Sequence, residues 1–446
     1  MYVLNLTVEN ITPIFMYGSD GITPELRPSE FKGMMRFWWR AIRADDNIDK
    51  LRKEEAEIFG GSGKEERKSK IILRIKPQPE NDNIGYNFIN AVENNHNRQN
   101  ISLNNKGIAY LFYSALRKNY IKENFNFQIE VQSYDENAFK NAVASLWLSI
   151  NLGGFGLRSR RGAGNIIVKN TKGNTCELEF IANTNNEDPK EFIKYLKNNI
   201  DKCSKIINGQ KIKNFSSTYS NLSFSRIIIS NKTFGNYKQA LNDIGEKYAN
   251  FRNENKYKIF DMAAFGMPII HSNGEKIVSN LSERRSSPII IKLIKIKTNN
   301  NYKWMVLRLS GELIKENNVV TIKEKIKKEE KTYWKIKDSR KVYFNIIDEL
   351  WNKLKSENNE EFILTKPEIL DKILENIKKE INPDKIILFG SRARGDGHKN
   401  SDIDIAVENP KKPLSNLQIN GSYDIVDLGK IDMKFKDKIN IEGINL

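Results

Sequence analysis

Near its C-terminus, the 446-residue chain carries residues whose types and spacing could support phosphate chemistry. Asp402 and Asp404 flank a single isoleucine, and Gly390-Ser391 precedes them with ten residues between Ser391 and Asp402. Residues two apart on a strand share one face, so we expect both carboxylates to point the same way. Neighbouring carboxylates repel each other unless a cation lies between them, and Mg²⁺ prefers one or two carboxylates together with substrate phosphates.

The residues that precede the two aspartates fit the same chemistry. Gly390 would let the backbone approach a phosphate closely, and Ser391 would add a hydroxyl donor. Arg392 and Arg394 could neutralise phosphate charge. The segment therefore predicts a site for a nucleoside triphosphate (NTP) and a magnesium ion.

Gly390, Ser391, Asp402 and Asp404 match without a gap the signature of the minimal nucleotidyltransferases of the DNA polymerase beta superfamily. About 80 residues at the C-terminus resemble that family. The resemblance implies transfer of a nucleoside monophosphate from an NTP, with ATP favoured, to an acceptor hydroxyl, with Mg²⁺ as cofactor. It also implies a third carboxylate on a later strand.

For the third carboxylate we prefer Asp424. Asp427 is the alternative, and because of the period of two it falls on the opposite face of the same strand. The apolar run at 385–389 and the alternating run at 402–407 predict the two strands that must hold the other residues. We therefore expect a small α/β nucleotidyltransferase domain at 364–446, after a linker at 356–363.

The basic charge of the chain lies outside this C-terminal segment. The sequence holds 73 Lys and Arg against 56 Asp and Glu, a net charge of +17. Residues 361–446 contribute 14 basic and 15 acidic residues, so the first 360 residues hold 59 and 41. Such an excess favours a polyanionic partner, with nucleic acid ahead of an anionic membrane.

The composition also excludes several classes of protein. No apolar run approaches the roughly 18 residues of a membrane helix, and the N-terminus has no basic segment typical of a signal peptide. The two cysteines exclude a disulfide framework and fit a reducing cytoplasm. The three histidines are scattered without ligand spacing, which argues against structural zinc.

A predicted helix at 29–44 carries two stripes of residues at helical spacing. One stripe is apolar. The opposite stripe combines cations with an indole, an arrangement suited to phosphates and a stacked base, and comprises Lys32, Arg36, Trp39 and Arg43, with Arg40 at its margin. The alternative is an amphipathic helix whose arginines only extend along the surface to reach water.

A second basic feature is the glycine- and arginine-rich segment 153–164. It fails as a dinucleotide-binding fingerprint because Ser159 occupies the position of the required third glycine. We predict a flexible loop from which Arg158, Arg160 and Arg161 project beside Ser159 toward an RNA backbone. A solvated basic turn without a partner is the alternative. The charge run at 323–332 predicts a solvated helix or loop.

The first 355 residues resemble the RAMP proteins of CRISPR systems, in particular the first-subunit family of type III-B (Cmr) effector complexes. The matching segments are 11–16, 26–29, 32–41, 58–61 and 153–164, with weaker matches at 265–268 and at 284–288, where Arg284 and Arg285 add two cations. The resemblance implies an α+β protein with two ferredoxin-like (RRM/RAMP) domains. We place them at 1–215, with an insertion near 77–124, and at 216–355.

This resemblance implies a non-catalytic RNA-binding subunit of an RNA-guided antiviral complex. Its implied partners are the crRNA near its 3′ region, the target RNA and other subunits of the complex. The C-terminal domain departs from the family. It is either an active transferase that modifies a protein or RNA hydroxyl, or a degenerate domain that only docks. A third reading is a stand-alone enzyme that adds nucleotides to RNA ends.

Overall fold

A computed structural model describes residues 1–92, 105–182, 184, 187–212, 219–270, 275–279, 284–311, 319–328, 331–343, 345–395, 397, 401–417 and 423–446. Three units follow one another along the chain, and each is built on an open sheet with helices against it. Within these ranges, no helix combines the length and the apolar character needed to cross a bilayer.

The first unit is an antiparallel sheet covered by helices. Its strands are β1 (Tyr2–Asn10), β2 (Ile72–Lys76), β3 (Ile84–Gly85), β4 (Tyr120–Ile121), β5 (Asn126–Ser133) and β6 (Ile166–Gly173). Its helices are α1 (Pro28–Arg43), α2 (Ile48–Phe59), α3 (Lys106–Leu111), α4 (Glu136–Leu152) and α5 (Pro189–Asn208). The main sheet has the order β2-β5-β1-β6, which is the ferredoxin-like arrangement.

The alternating pattern of β1 explains how this sheet forms its core. Leu4, Leu6 and Val8 share the face of the strand that is buried in the core, and the whole strand pairs with β5 on one side and β6 on the other. α4 begins where the Asp135 carboxylate accepts the Ala138 backbone N–H at 2.8 Å, as an N-cap should. The helix that leads into the glycine-rich segment therefore begins at a defined residue.

The second unit repeats the arrangement and adds a second sheet. Its strands are β7 (Asn221–Ile229), β8 (Ile269–Ile270), β9 (Lys276–Ser279), β10 (Ile289–Lys295), β11 (Tyr302–Ser310), β12 (Val319–Lys328), β13 (Lys331–Lys341) and β14 (Glu360–Thr365), and its helices are α6 (Tyr237–Glu254) and α7 (Asn345–Ser356). The main sheet, β10-β11-β7-β14, again has ferredoxin-like order. The prediction of two such domains is confirmed.

Two expectations about this unit are wrong. Over its described residues, 323–328 and 331–332, the charge run forms strand rather than helix or loop, because these residues pair as β12 and β13 in the second sheet, β13-β12-β9-β8. The expected linker 356–363 contains most of β14, which pairs with β7. Its apolar residues Phe362 and Ile363 supply a strand to the open edge of β7.

The third unit is a small mixed sheet that packs against the second unit. It consists of α8 (Glu368–Ile381), β15 (Lys385–Phe389), α9 (Gly390–Arg394), β16 (Ile403–Glu408), β17 (Tyr423–Asp427), α10 (Met433–Glu442) and β18 (Ile444–Asn445), with the sheet order β17-β16-β15-β18. Phe224 of β7 and Ile363 of β14 pack into its apolar core. The third unit therefore shares a core with the main sheet of the second unit.

Candidate transferase site and nucleic-acid cleft

The parallel pairing of β16 with β17 places two of the predicted catalytic carboxylates side by side. Asp404 and Asp424 are register partners, and Asp402 lies immediately before β16. The alternative residue, Asp427, is buried farther along β17, and its carboxylate accepts the Gly429 backbone N–H at 2.9 Å. The geometry thus brings Asp424 to Asp404 and assigns Asp427 to a turn.

The electrostatics of these carboxylates fit a bound cation. Burial raises the pKa of Asp404, and the negative charges of Asp424 and Asp402 raise this pKa further. A divalent cation between the oxygens would remove that repulsion, and an all-oxygen set suits Mg²⁺. No group of three or more His, Cys, Asp or Glu side chains that could hold a metal alone exists among the described residues, so substrate phosphates would have to complete the coordination.

Gly390 is required by its contact with Asp404. Its φ is +72°, and a Cβ at this position would lie 2.0 Å from Asp404 Oδ2. Its backbone N–H donates to the Glu442 carboxylate at 3.1 Å. The glycine therefore makes room for the Asp404 carboxylate, and its amide has a partner in Glu442.

Glu442 is a residue of the site that the sequence analysis missed. It is buried at the end of α10 and also pairs with Arg394 at 2.8 Å. One carboxylate thus joins the last helix to both ends of α9. An acidic residue in an ordinary amphipathic helix carries no spacing signal, so only the tertiary structure reveals it.

Arg392 holds the chain just before Asp402. It is 6% exposed, and its Nε and Nη2 donate to the Ser401 carbonyl at 3.1 and 2.6 Å. This contact fixes the backbone that delivers Asp402 to the site. Ser391, which is half-buried, remains the predicted hydroxyl donor to a phosphate. Arg392 and Arg394, which we expect to bind the NTP, thus also contact groups of the protein, the Ser401 carbonyl and the Glu442 carboxylate.

Two arginines from the second unit reach the other end of α9. Arg308 on β11 donates to the Arg394 carbonyl at 2.5 Å, and Arg226 on β7 lies 3.4 Å from the Ala393 carbonyl. Asp348 of α7 balances them, at 2.5 Å from Arg308 and 3.6 Å from Arg226. Burial lowers the pKa of Arg226 to about 10, which leaves it charged at neutral pH.

On α1, the structure contradicts the predicted stacking surface. Trp39 is 2% exposed, and its indole N–H donates to Asn141 of α4 at 2.8 Å. The indole is buried because α4 covers that side of the helix, so it offers no face for a base to stack on.

The cations on α1 are likewise engaged within the fold. Arg36 and Arg40 both pair with Glu55 of α2, Arg43 pairs with Glu54, and Lys32 donates to Ser69 Oγ at 3.0 Å. Sequence alone could not show that α2 packs its two glutamates along this stripe. The amphipathic-helix alternative describes α1 better.

The glycine- and arginine-rich segment is clamped, not flexible. Arg160 donates to the Ser287 carbonyl at 2.6 Å, and Arg161 donates to the Ile289 carbonyl at 3.1 Å. At Gly164, where φ is +63°, a Cβ would lie 1.9 Å from the Phe155 carbonyl oxygen. The segment thus ties the first unit to β10 of the second.

A cleft of about 880 Å³ opens between the first two units at this segment. Six arginines from separate parts of the chain line it: Arg158, Arg160, Arg161, Arg252, Arg284 and Arg285. Five aromatic residues also line it: Phe37, Tyr110, Tyr113, Tyr248 and Phe265. No Asp or Glu is among its described lining residues. Ser159 lies in the same wall.

The cleft is formed by segments that lie far apart in the sequence and that the sequence analysis treated one by one. The residues of 265–268 and 284–287 meet the 157–161 loop there. Arg252 comes from α6 and was not singled out, because one arginine on an amphipathic helix has no distinctive pattern. Its guanidinium lies 5.4 Å from the ring centroid of Phe265.

Comparisons with known proteins agree with the division of the chain. Residues 7–169 match the RAMP superfamily, and residues 370–440 match the nucleotidyltransferase domain family. The CRISPR system Cmr subunit Cmr1-2 of Pyrococcus furiosus is 34% identical over 187 residues, which are 38% of this chain and 96% of that relative. Cmr1-1 of the same organism is 26% identical over 316 residues, which are 66% of this chain and 84% of that relative.

The fold of the larger part is also that of a solved structure. The crystal structure of Cmr1 from Pyrococcus furiosus in its apo form aligns with a TM-score of 0.54 and 18% identity, covering 82% of this chain and 99% of that one. Together with the sequence identity, this fold places the chain in the RAMP superfamily as a member of the Cmr1 family of CRISPR Cmr subunits, with a nucleotidyltransferase domain at its C-terminus.

Proposed function

We propose that the arginine-lined cleft binds single-stranded RNA. The observation that carries the proposal is the convergence of six arginines and five aromatic rings on one cleft whose described lining contains no acidic side chain. Arginines bind phosphates, whereas aromatic rings stack bases without regard to sequence. RNA is therefore the polyanion that this surface fits best.

The contacts within the cleft support this use. The Arg158 guanidinium lies 4.0 Å from the ring centroid of Tyr113, which is 67% exposed, and donates to Ser114 Oγ at 2.8 Å. An exposed ring beside a guanidinium offers a stacking face next to a phosphate ligand. By kinship with Cmr subunits, we infer that the RNA is crRNA near its 3′ region or target RNA, held in a type III-B complex with other subunits.

RNA binding by the cleft is tested by the salt dependence of affinity. Replacing Arg158, Arg252 and Arg284 by Ala should weaken binding of a fluorescent 20-nucleotide RNA and reduce the salt slope by about 0.7 for each lost phosphate contact. These residues are chosen because Arg160 and Arg161 also join the two units. The matched control is Arg74→Ala, which removes an exposed arginine on β2 that is not one of the residues lining the cleft. An unchanged slope in the triple variant would refute the assignment.

We further propose that the C-terminal domain transfers a nucleoside monophosphate from an NTP, with ATP favoured, to a protein or RNA hydroxyl, and that pyrophosphate leaves as the bond between the α- and β-phosphates breaks. Asp402 and Asp404 would hold Mg²⁺ together with substrate phosphates, and the bound ion would supply charge neutralisation for the triphosphate and alignment of the acceptor oxygen. Ser391 would donate to a phosphate oxygen, and Asp424, which is exposed beside Asp404, would orient the acceptor hydroxyl and accept its proton.

Incubation of the assembled complex with α-³²P NTPs, with and without target RNA, tests the transferase proposal. We expect a labelled protein or RNA product that the Asp402→Asn/Asp404→Asn variant does not form. Asp427→Asn is the matched control, because this carboxylate closes a turn and lies away from the pair. Equal labelling by wild type and the double variant, or none with any NTP, would leave the domain a docking module.

A further inference from the structure

The second sheet of the second unit presents one face with a continuous row of residues across all four strands. The register pairs Ile270 of β8 with Lys276 of β9, Lys276 with Lys323 of β12, and Lys323 with Ile336 of β13. Register partners share a face of a sheet, and Trp334, two residues from Ile336 on β13, shares it too. These five residues define the basic sheet face.

The apolar members of the basic sheet face are exposed. Ile270, Trp334 and Ile336 are 69%, 48% and 56% exposed. The Lys276 ammonium lies 5.8 Å from the ring centroid of Trp334. Residues 319–341 include nine Lys and Arg against four Asp and Glu. The hairpin sequence is thus basic, and the exposed indole of Trp334 lies beside the Lys276 ammonium.

This face is continuous with the RNA cleft. Ile269 and Ile270 of β8 line the cleft, and β8 is the edge strand from which the row begins. Three strand spacings of about 4.8 Å separate β8 from β13, so the row is about 14 Å long. A nucleic-acid strand that leaves the cleft over β8 would cross this distance with roughly four stacked nucleotides at about 3.4 Å each.

We propose that the basic sheet face is an extension of the RNA-binding surface on which Trp334 stacks a base of the strand leaving the cleft. This inference rests on the proposed binding of RNA in the cleft. The charge of the hairpin favours RNA over a protein partner, because lysines are depleted from the cores of protein interfaces and here they form the middle of the row. An exposed indole beside an ammonium group combines the base stacking and the positive charge with which proteins hold single strands.

The test is a series of fluorescent RNAs from 4 to 20 nucleotides, bound to the full chain and to Trp334→Ala. RNAs longer than the cleft can hold should bind the wild-type chain roughly 5- to 150-fold more tightly than RNAs that only fill the cleft, because a further base stacks on Trp334. Trp334→Ala should lose that gain and bind the shortest RNAs as wild type does. Trp334→Phe should restore most of it, because a phenyl ring still stacks, and Tyr134→Ala removes an exposed ring elsewhere as the matched control.

The outcomes separate the two proposals. If the wild-type chain binds long RNAs no more tightly than short ones, the basic sheet face does not extend the RNA-binding surface. The same holds if Trp334→Ala weakens the binding of RNAs of every length equally. If Trp334→Ala leaves the RNA curves unchanged and instead releases another subunit of the complex, the face is a protein interface and the inference is wrong. If RNA of no length binds wild type, the cleft proposal fails as well.

Discussion

Arg308, on a strand of the second ferredoxin-like sheet, donates a hydrogen bond of 2.5 Å to the carbonyl of Arg394, the last residue of α9. α9 begins at Gly390, so the helix that opens the candidate transferase site is held at its far end by the second ferredoxin-like unit. A positive charge at the C-terminus of a helix is favourable because the unpaired carbonyls there carry partial negative charge.

Replacing Arg308 by Met should lower the free energy of unfolding by about 3–5 kcal/mol, because Asp348 then keeps a buried charge without its nearest partner. Urea denaturation measures the loss. The double variant Arg308→Met/Asp348→Leu should recover much of it, since both charges are removed. Arg340→Ala, which breaks an exposed pair with Asp338, should change the stability by about 0.5 kcal/mol or less. Similar losses for Arg308→Met and Arg340→Ala would contradict this account.

Gly390→Ala should abolish Mg²⁺-dependent NTP binding while the chain still folds. The added Cβ would overlap the Asp404 carboxylate, so Asp404 has to move away from Asp424. Calorimetric titration with a non-hydrolysable NTP measures the effect. Gly33→Ala on α1 is the control, because its Cβ meets nothing within 4 Å and an alanine stabilises a helix interior. Wild-type NTP affinity in Gly390→Ala would show that the contact does not matter.

Lys292 predicts a specific pH dependence of stability. It is buried on β10, its ammonium donates to the Gly153 carbonyl at 3.0 Å at the end of α4, and burial lowers its pKa to about 7. Between pH 7 and pH 10 the side-chain amine of Lys292 is protonated in the unfolded chain and unprotonated in the folded chain. The stability contributed through Lys292 therefore rises with pH across that window, by at most about 1.4 kcal/mol per pH unit.

The measurement compares wild type with Lys292→Met by urea denaturation at pH 7 and pH 10. The stability of the variant relative to wild type should be higher at pH 7 than at pH 10, because Met carries no proton to lose on folding. Lys303→Met is a useful comparison, since burial lowers the pKa of Lys303 as well and its ammonium has two carbonyl partners. A pH-independent difference for Lys292→Met would show that the amine keeps its ordinary pKa.

Trp39→Phe should destabilise the protein without weakening RNA binding. The change removes the hydrogen bond to Asn141 in a buried site, which costs about 1–3 kcal/mol. Thermal denaturation and anisotropy with the 20-nucleotide RNA measure the two effects. Trp334→Phe, at an exposed indole, should leave stability within about 0.5 kcal/mol. Lower RNA affinity for folded Trp39→Phe would restore the original interpretation of α1.

The sequence was most informative where a short-range pattern decides the structure. The alternating run at 402–407 predicted a strand, and β16 spans Ile403–Glu408. Asp424, preferred over Asp427 from the sequence, is the register partner of Asp404. Alternating apolar residues likewise predicted β1. These inferences concern neighbours along one or two strands, for which local geometry suffices.

The sequence was least informative where packing between distant elements decides. Trp39 shows the same helical spacing whether α4 covers it or water does, and only the fold reveals that α4 covers it. Glu442 and Arg308 reach α9 from 52 and 86 positions away, with nothing in their local sequence to mark them. The prediction of a linker at 356–363 was wrong for a similar reason. Such a short segment forms a strand only where it can pair with the open edge of a sheet, here β7.

β14 also determines how the chain can be divided. A protein that ends before Glu360 leaves β7 with a row of unpaired N–H and C=O groups, which is a template for aggregation. A protein that ends after Thr365 keeps the strand but exposes Phe224 and Ile363, whose apolar surfaces belong to the third core. Neither cut yields two halves with covered apolar surfaces, so the second and third units have to be produced and degraded as one piece.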